Sequence, residues 1–203
     1  MNNRNFETQL PEGYKEALHI DAKNAKTGII MNLVSLIILG IVMAIAYVPI
    51  KLNNVDLWVS FASENPVEAM IVMSVFFITM LAYVVMHELV HGIAYKCLTG
   101  EKLTFGISWS CAFCGVPHIY SYRKTAIISS AAPLVLFSLI FGAVTVALYF
   151  ASPMYYLLSA VILGLHLGGC SGDMYIILML LKYNNPKVLM RDTGPEQFIY
   201  VPD

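Results

Sequence analysis

The sequence predicts an all-α integral membrane protein with four transmembrane helices and a small cytoplasmic β-hairpin between the second and third helices. Its composition, 58% hydrophobic and 12% charged, lies well outside the range of soluble domains. Four apolar spans each reach the roughly 20 residues that a bilayer helix requires. Between residues 102 and 122, apolar and polar residues alternate, which predicts the hairpin. The four spans are residues 28–50, 67–98, 125–150 and 153–181.

The chain before the first span is polar and mixed in charge, which predicts a cytoplasmic N-terminal tail over residues 1–27. No cleavage-like site precedes the first span, so we interpret it as a retained helix and not as a signal peptide. Residues 28–181 then form a four-helix membrane domain, and residues 182–203 form a cytoplasmic C-terminal tail. We find no internal repeat that would divide the membrane domain.

The basic residues predict the orientation of these helices. Eleven of the 12 Lys and Arg residues lie in the two tails or around the loop between the second and third spans; only Lys51 lies in a loop on the other side. The positive-inside rule therefore puts both termini in the cytoplasm of a multi-pass protein of the cell membrane. Lipid is the implied environment. The net charge of -1 and the absence of a basic run give no indication of a nucleic-acid partner.

The second span contains the motif His87-Glu88-Leu89-Val90-His91, an H-E-x-x-H sequence. On a helix the two histidines lie one turn apart on the same face, so both imidazoles can bind one zinc ion. Glu88 lies beside that face and can act as general base towards water at the zinc. The motif arises by chance in soluble helices, but polar groups are costly in an apolar span, which favours the zinc interpretation.

A catalytic zinc site usually has three protein ligands, and depth in the membrane selects the third. The motif lies about 10 Å from the cytoplasmic end of its span, and Asp173 lies at the same level in the fourth span. His166 is two turns deeper, and Glu68 is near the opposite face. Asp173 is therefore the predicted third ligand; a structural hydrogen bond to a neighbouring helix is its alternative role. His166 is interpreted as a packing or ligand-supporting histidine.

The third and fourth spans carry two further features. Pro133 cannot donate to the carbonyl of Ser129, and this freed carbonyl lies at the level of the predicted zinc, where it could orient substrate or water. A simple kink filled by serine side chains is the alternative. In the fourth span, Gly164, Gly168 and Gly172 form a stripe that predicts close packing on the second helix.

The predicted hairpin contains Cys111 and Cys114 in a C-x-x-C sequence. This pair could be half of a structural zinc site, together with His118, or a redox pair. Because no second cysteine pair completes four ligands, we favour two reduced cytoplasmic thiols packed in the hairpin. Asp192-Thr193-Gly194, near the C-terminus, is similar to an aspartic-protease triplet, but its single copy favours a turn.

Three segments carry a resemblance to a known family: His-Glu-Leu-Val-His-Gly at 87–92, Gly-Gly-Cys-Ser-Gly-Asp at 168–173 and Asp-Thr-Gly at 192–194. The chain resembles the putative zincin peptidase family of small bacterial four-helix membrane proteins. It is more distantly similar to site-2-type intramembrane metalloproteases, which also combine H-E-x-x-H with an aspartate from a later helix. The resemblance implies His87, His91 and Asp173 as zinc ligands and Glu88 as base.

These features predict a zinc-dependent membrane peptidase that hydrolyses peptides or membrane proteins near the cytoplasmic side, with Zn²⁺ as cofactor. The alternative is a metal-binding membrane protein without hydrolysis, such as a sensor or a transporter subunit. That protein would share the three ligands but would have no use for Glu88. A structural protein in which the histidines only bridge helices would contain no stoichiometric zinc.

Overall fold

A computed structural model describes residues 5–54, 66–107 and 112–203. The described helices are α1 (Ala25–Leu52), α2 (Pro66–Thr99), α3 (Arg123–Tyr149), α4 (Pro153–Gly169) and α5 (Ser171–Lys182). The described strands are β1 (Phe6–Glu7), β2 (Tyr14–Asp21), β3 (Thr104–Ile107), β4 (Ala112–Gly115), β5 (Tyr120–Tyr122), β6 (Leu189–Asp192) and β7 (Glu196–Pro202).

The prediction of an all-α protein with one hairpin is wrong, because a five-stranded antiparallel sheet accompanies the helices. Its strand order is β1-β5-β6-β7-β2, and the two terminal segments supply every strand except β5. The segments expected to be polar tails are therefore structured, and β2 and β7 pair along most of their length.

Two properties of the strands explain why sequence patterns did not predict this sheet. Most strands are two to four residues long, and the longest, β2, carries an irregularity between Glu16 and Leu18 that breaks its two-residue period. The partner of β2 is β7, near the other end of the chain, so no local hairpin signal marks the pair.

The hairpin predicted over residues 102–122 is wrong in its second strand. Strands β3 and β4 pair antiparallel, with Phe105 opposite Cys114, in a separate two-stranded sheet. The segment 108–111 between them, which includes Cys111, lies outside the described residues. Residues 120–122 do not extend this hairpin; they form β5, which pairs with β1 and β6 in the larger sheet.

Helices α1, α2 and α3 are long and apolar enough to cross a membrane, and α4 with α5 makes a fourth candidate span if the bent pair is counted as one. Large apolar side chains are exposed along α1, α2 and α3, as expected for helices that face lipid. These are the helices of a membrane protein. The predicted fourth span is broken by a 43° bend between Gly169 and Ser171. Glycines cluster around the bend, and glycine is a poor helix former.

The described residues form two compact units. The first, which we call the sheet unit, comprises residues 1–31, 85–133 and 172–203. Its core packs one side of the large sheet against α3 and α5. Arg123 strengthens this packing, since its Nε donates to the carbonyl of Leu180 at 2.6 Å. The fully buried residues of this core are Ala126, Ile176, Leu180, Val188, Met190 and Ile199.

The second unit, which we call the helical unit, comprises residues 32–84 and 134–171. Here α4 packs closely on α1, because glycines leave no side chain between the two helices at the contact. A Cβ at Gly168 would lie 2.8 Å from the carbonyl oxygen of Ser35, and one at Gly164 would meet Leu39 at 2.6 Å. The Ser35 hydroxyl donates to the carbonyl of Gly168 at 2.6 Å. The prediction that this glycine stripe packs on the second apolar helix is therefore wrong: its partner is the first.

Candidate metal centre

The two motif histidines lie on α2 within the sheet unit, and their rings converge. The Nε2 atoms of His87 and His91 are 3.2 Å apart, and both side chains are nearly buried. A helical spacing of four residues produces this convergence, because it places the two side chains one above the other on the same face.

Asp173 completes a triangle with this pair. Its Oδ2 lies 3.3 Å from His87 Nε2, and its Oδ1 lies 3.3 Å from His91 Nε2. Asp173 is in the first turn of α5, where the unpaired N–H groups of the helix favour a negative charge. The break after Gly169 therefore has a consequence for the site, because a new helix begins two residues before the carboxylate that approaches the histidines. The structure brings together the three residues that depth in the membrane selected.

The distances fit a zinc ion. Zn–N and Zn–O bonds of about 2.0–2.1 Å at tetrahedral angles place neighbouring ligand atoms ~3.3 Å apart. The observed separations of 3.2, 3.3 and 3.3 Å match that edge length. Two imidazoles and one carboxylate are also a donor set that catalytic zinc sites use, with one position left for water or substrate. His87, His91 and Asp173 can therefore hold zinc without rearrangement.

The orientation of His91 is fixed by a backbone carbonyl that Pro133 leaves free in α3. Pro133 lies inside this helix, and the carbonyl of Ser129, four residues earlier, has no helical N–H donor. His91 Nδ1 lies 2.8 Å from that carbonyl oxygen. Because a carbonyl only accepts, Nδ1 must carry the proton, which leaves the lone pair of Nε2 for a metal. The freed carbonyl thus orients a predicted ligand, a role that the sequence had not indicated for it.

Replacing Pro133 by alanine should weaken metal binding. Alanine supplies the missing N–H, which can donate to the Ser129 carbonyl and compete with His91. Losing such a supporting hydrogen bond typically costs 10- to 100-fold in metal affinity, so we expect a fall of ~10-fold or more. Zinc affinity would be measured by competition with a chromogenic chelator in detergent. Pro49→Ala, at the interior proline of α1 in the helical unit, is the matched control. Equal affinities for wild type and Pro133→Ala would contradict the assignment.

Glu88 lies beside the triangle and is held by the small sheet. Its carboxylate accepts a hydrogen bond from the backbone of Cys114 in β4 and is close enough to interact electrostatically with His87, His91 and Asp173. The small sheet is fixed next to the motif because Gly92 leaves room for the Phe105 ring of β3; a Cβ at Gly92 would lie 2.7 Å from that ring. The base predicted from the motif is therefore beside the three predicted ligands, with a defined hydrogen-bond partner.

The other polar residues singled out in the sequence have different surroundings. His166 is fully buried in the helical unit, where its Nδ1 lies 2.7 Å from Tyr83 Oη and its Nε2 lies 3.0 Å from Ser138 Oγ. These contacts agree with a packing role for His166, which stays a prediction. Glu68 is exposed in the first turn of α2, about 30 Å along the helix from the motif.

Cys114 is a buried free thiol. Burial, together with the nearby carboxyl groups of Asp192 and Glu88, raises the pKa of this thiol to about 12. Such a thiol stays protonated at neutral pH, which agrees with the interpretation of a reduced, packed cysteine. A site shared with Cys111 falls outside the described residues.

The sequence patterns did not identify two residues near the site as part of its surroundings. Tyr95 and Asp192 are both buried, and the Tyr95 hydroxyl donates to Asp192 Oδ2 at 2.9 Å. The helical period could have indicated that Tyr95 lies near the site, since it follows His91 by four residues and shares its face of the helix. Asp192 offered only the Asp-Thr-Gly sequence, which forms the predicted turn between β6 and β7.

Comparison with known proteins identifies one family. A family model described as putative zincin peptidase matches residues 80–187, more than half of the chain. The matched segment contains His87, Glu88, His91 and Asp173. No curated protein and no solved structure gives a significant match.

Proposed function

The chain belongs to the putative zincin peptidase family, and from this premise we propose that it is a zinc-dependent peptidase embedded in the membrane. The observation that carries the proposal is the triangle of His87, His91 and Asp173, whose edges of 3.2 to 3.3 Å have the dimensions of a tetrahedral zinc site. Glu88, beside the triangle, is the proposed general base.

Each residue has a distinct task in the proposed hydrolysis. Zinc bound by the three ligands would supply Lewis acidity that polarises the scissile carbonyl and makes water more acidic. Glu88 takes the proton of the attacking water and later delivers it to the leaving amine. The Ser129 carbonyl keeps the His91 ring in one tautomer and one orientation. The backbone of Cys114 fixes the direction of the Glu88 carboxylate.

Glu88 favours hydrolysis over metal binding alone. A sensor or transporter subunit needs the three ligands but not a carboxylate next to them, and a carboxylate at this depth in a hydrophobic helix is costly. Here that carboxylate is directed by a hydrogen bond from a neighbouring strand, as expected of a group that must meet a reacting atom in one geometry.

We place the active site near the cytoplasmic face of the cell membrane, with both termini in the cytoplasm. The distribution of Lys and Arg supports this orientation. The pairing of β2 with β7 and of β5 with β6 independently supports a common side for these segments, because strands in one sheet must lie on one side of the bilayer. The N-terminal segment, the C-terminal segment and the loop after α2 therefore share a side. The proposed substrates are peptides or membrane proteins that reach this face, and lipid surrounds the helices.

Metal removal tests the proposal. We expect the protein purified in detergent to contain about one zinc per chain, because the triangle of His87, His91 and Asp173 has the dimensions to hold a single ion. It should cleave members of an internally quenched peptide library, lose that cleavage with 1,10-phenanthroline, and regain it when zinc is restored. Cleavage that persists in the metal-free protein would rule out the proposed mechanism, and a protein that never retains zinc would favour a structural role for the histidines.

A further inference from the structure

The turn between β6 and β7 is closed by the side chain of its first residue. Asp192 Oδ1 accepts from the backbone N–H of Gly194 at 2.8 Å, and Gly194 has a φ of +98°, a conformation that favours glycine. The N–H of Thr193 donates to the carbonyl of Glu196 at 2.9 Å, which joins the turn to β7. One oxygen of the Asp192 carboxyl group is therefore used to shape the turn.

The second oxygen connects the turn to the motif helix. Tyr95 Oη donates to Asp192 Oδ2 at 2.9 Å, and only 1% of Tyr95 and 5% of Asp192 is exposed. Tyr95 follows Glu88 by seven residues, two helical turns, and so lies on the same face of α2. Burial raises the pKa of Asp192 to about 6. A carboxyl group is costly to bury, and the described contacts hold it by hydrogen bonds to Tyr95 and Gly194.

The same turn fixes β4. The N–H of Val116, just after β4, donates to the carbonyl of Asp192 at 2.9 Å. Gly115 lies directly against the backbone of Thr193 and Gly194, and the Phe113 ring covers Gly194. The residue between Phe113 and Gly115 is Cys114, whose backbone hydrogen-bonds the Glu88 carboxylate. The turn therefore contacts β4 on both sides of the residue that directs Glu88.

We infer that Asp192 and Tyr95 form a latch that holds β4 against Glu88, and that both are positioning residues for this carboxylate. The inference rests on the proposed function, because positioning matters only if Glu88 transfers a proton. Neither residue reaches the substrate or the metal in this role. The latch acts through the backbone of β4, so its loss changes the direction of the carboxylate while the three ligands stay in place.

Two single variants and their combination test the latch in catalysis. Tyr95→Phe removes one hydroxyl and leaves the turn intact, whereas Asp192→Ala removes the acceptor. We expect each to lower kcat ~10-fold or more, with KM and zinc content unchanged, because a misdirected base slows the chemical step alone. The double variant should be no slower than the slower single variant, since both changes break one contact. Tyr156→Phe, which removes a buried hydroxyl bonded to Ala46 in the helical unit, is the matched control.

Wild-type kcat in folded Tyr95→Phe would overturn the latch. Losses in kcat that multiply in the double variant would also overturn it. A fall in zinc content parallel to the fall in kcat would overturn it as well, since the proposed metal ligands would then be the affected groups. Asp192→Ala can fail to fold, in which case Tyr95→Phe, with the carboxyl group and the turn still present, decides the question.

A second readout does not depend on activity. The buried Cys114 thiol should react slowly with N-ethylmaleimide in wild type, and ~10-fold or more faster in Tyr95→Phe if β4 is released. Mass spectrometry would locate the label, with the fully buried Cys170 of the helical unit as internal control. An unchanged Cys114 rate, or an equal rise at Cys170, would overturn the latch. A wild-type protein that holds zinc but cleaves no peptide would contradict the proposed function, while the thiol measurement would still report on the latch.

Discussion

Glu88→Gln should retain zinc and lose peptide hydrolysis almost completely. Glutamine has the size of glutamate, and its carbonyl oxygen can still accept from the backbone of Cys114, but it cannot take a proton from water. General acid–base catalysis contributes typically 10²- to 10⁴-fold, so we expect kcat to fall by ~10³-fold with about one zinc per chain still bound. The measurement pairs peptide hydrolysis with metal analysis of the same preparation.

Glu68→Gln, at the exposed start of the same helix, is the matched control and should leave both quantities unchanged. Full hydrolysis by Glu88→Gln would overturn the assignment of the base. If wild type and variant both hold zinc and neither cleaves, the non-catalytic alternative is favoured. In cells, a comparison of membrane proteomes from wild type and Glu88→Gln would identify substrates as fragments that disappear in the variant.

Asp173→Asn should lose both zinc and activity. Asparagine keeps the shape of the side chain but removes the charge that faces the two Nε2 atoms at 3.3 Å. Loss of a supporting hydrogen bond costs 10- to 100-fold in metal affinity, and loss of a ligand itself should exceed ~100-fold. Chelator competition would measure the affinity, and Asp203→Asn, at an exposed surface carboxylate, is the control.

The same variant separates the two roles considered for Asp173. If Asp173 served only as a structural hydrogen-bond partner, Asp173→Asn would keep zinc at wild-type affinity and lower thermal stability alone. That result would remove the third ligand and, with it, the tetrahedral site on which the proposed function depends.

The convergence of His87, His91 and Asp173 could be predicted because its determinants are local or depend on depth alone. A spacing of four on a helix brings His87 and His91 together, and counting residues from the membrane surface selects Asp173 over His166. The helical break that starts α5 just before Asp173 could not be predicted as such, because the apolar run continues through it.

The contacts that support the proposed ligands depend on tertiary pairing, which no local pattern records. Pro133 indicated a freed carbonyl, but not that His91 would use it. Gly164 and Gly168 indicated a close helix contact, but any apolar helix could have been the partner, and α1 is the actual one. Tyr95 and Asp192 lie 97 residues apart, and the sheet that brings them together is built from short strands at both ends of the chain.

The pairing of β2 with β7 has a consequence for biosynthesis. On the ribosome, α1 to α5 are all translated before β7, so the hydrophobic helices can enter the translocon while β2 still lacks its neighbour. The turn that precedes β7 is also translated after the helices. The hydrogen bond from Tyr95 to Asp192 therefore cannot form until almost all of this sequence has been translated. In the proposed membrane peptidase, assembly of the sheet unit therefore follows insertion, and the contact inferred to direct the proposed base forms only after it.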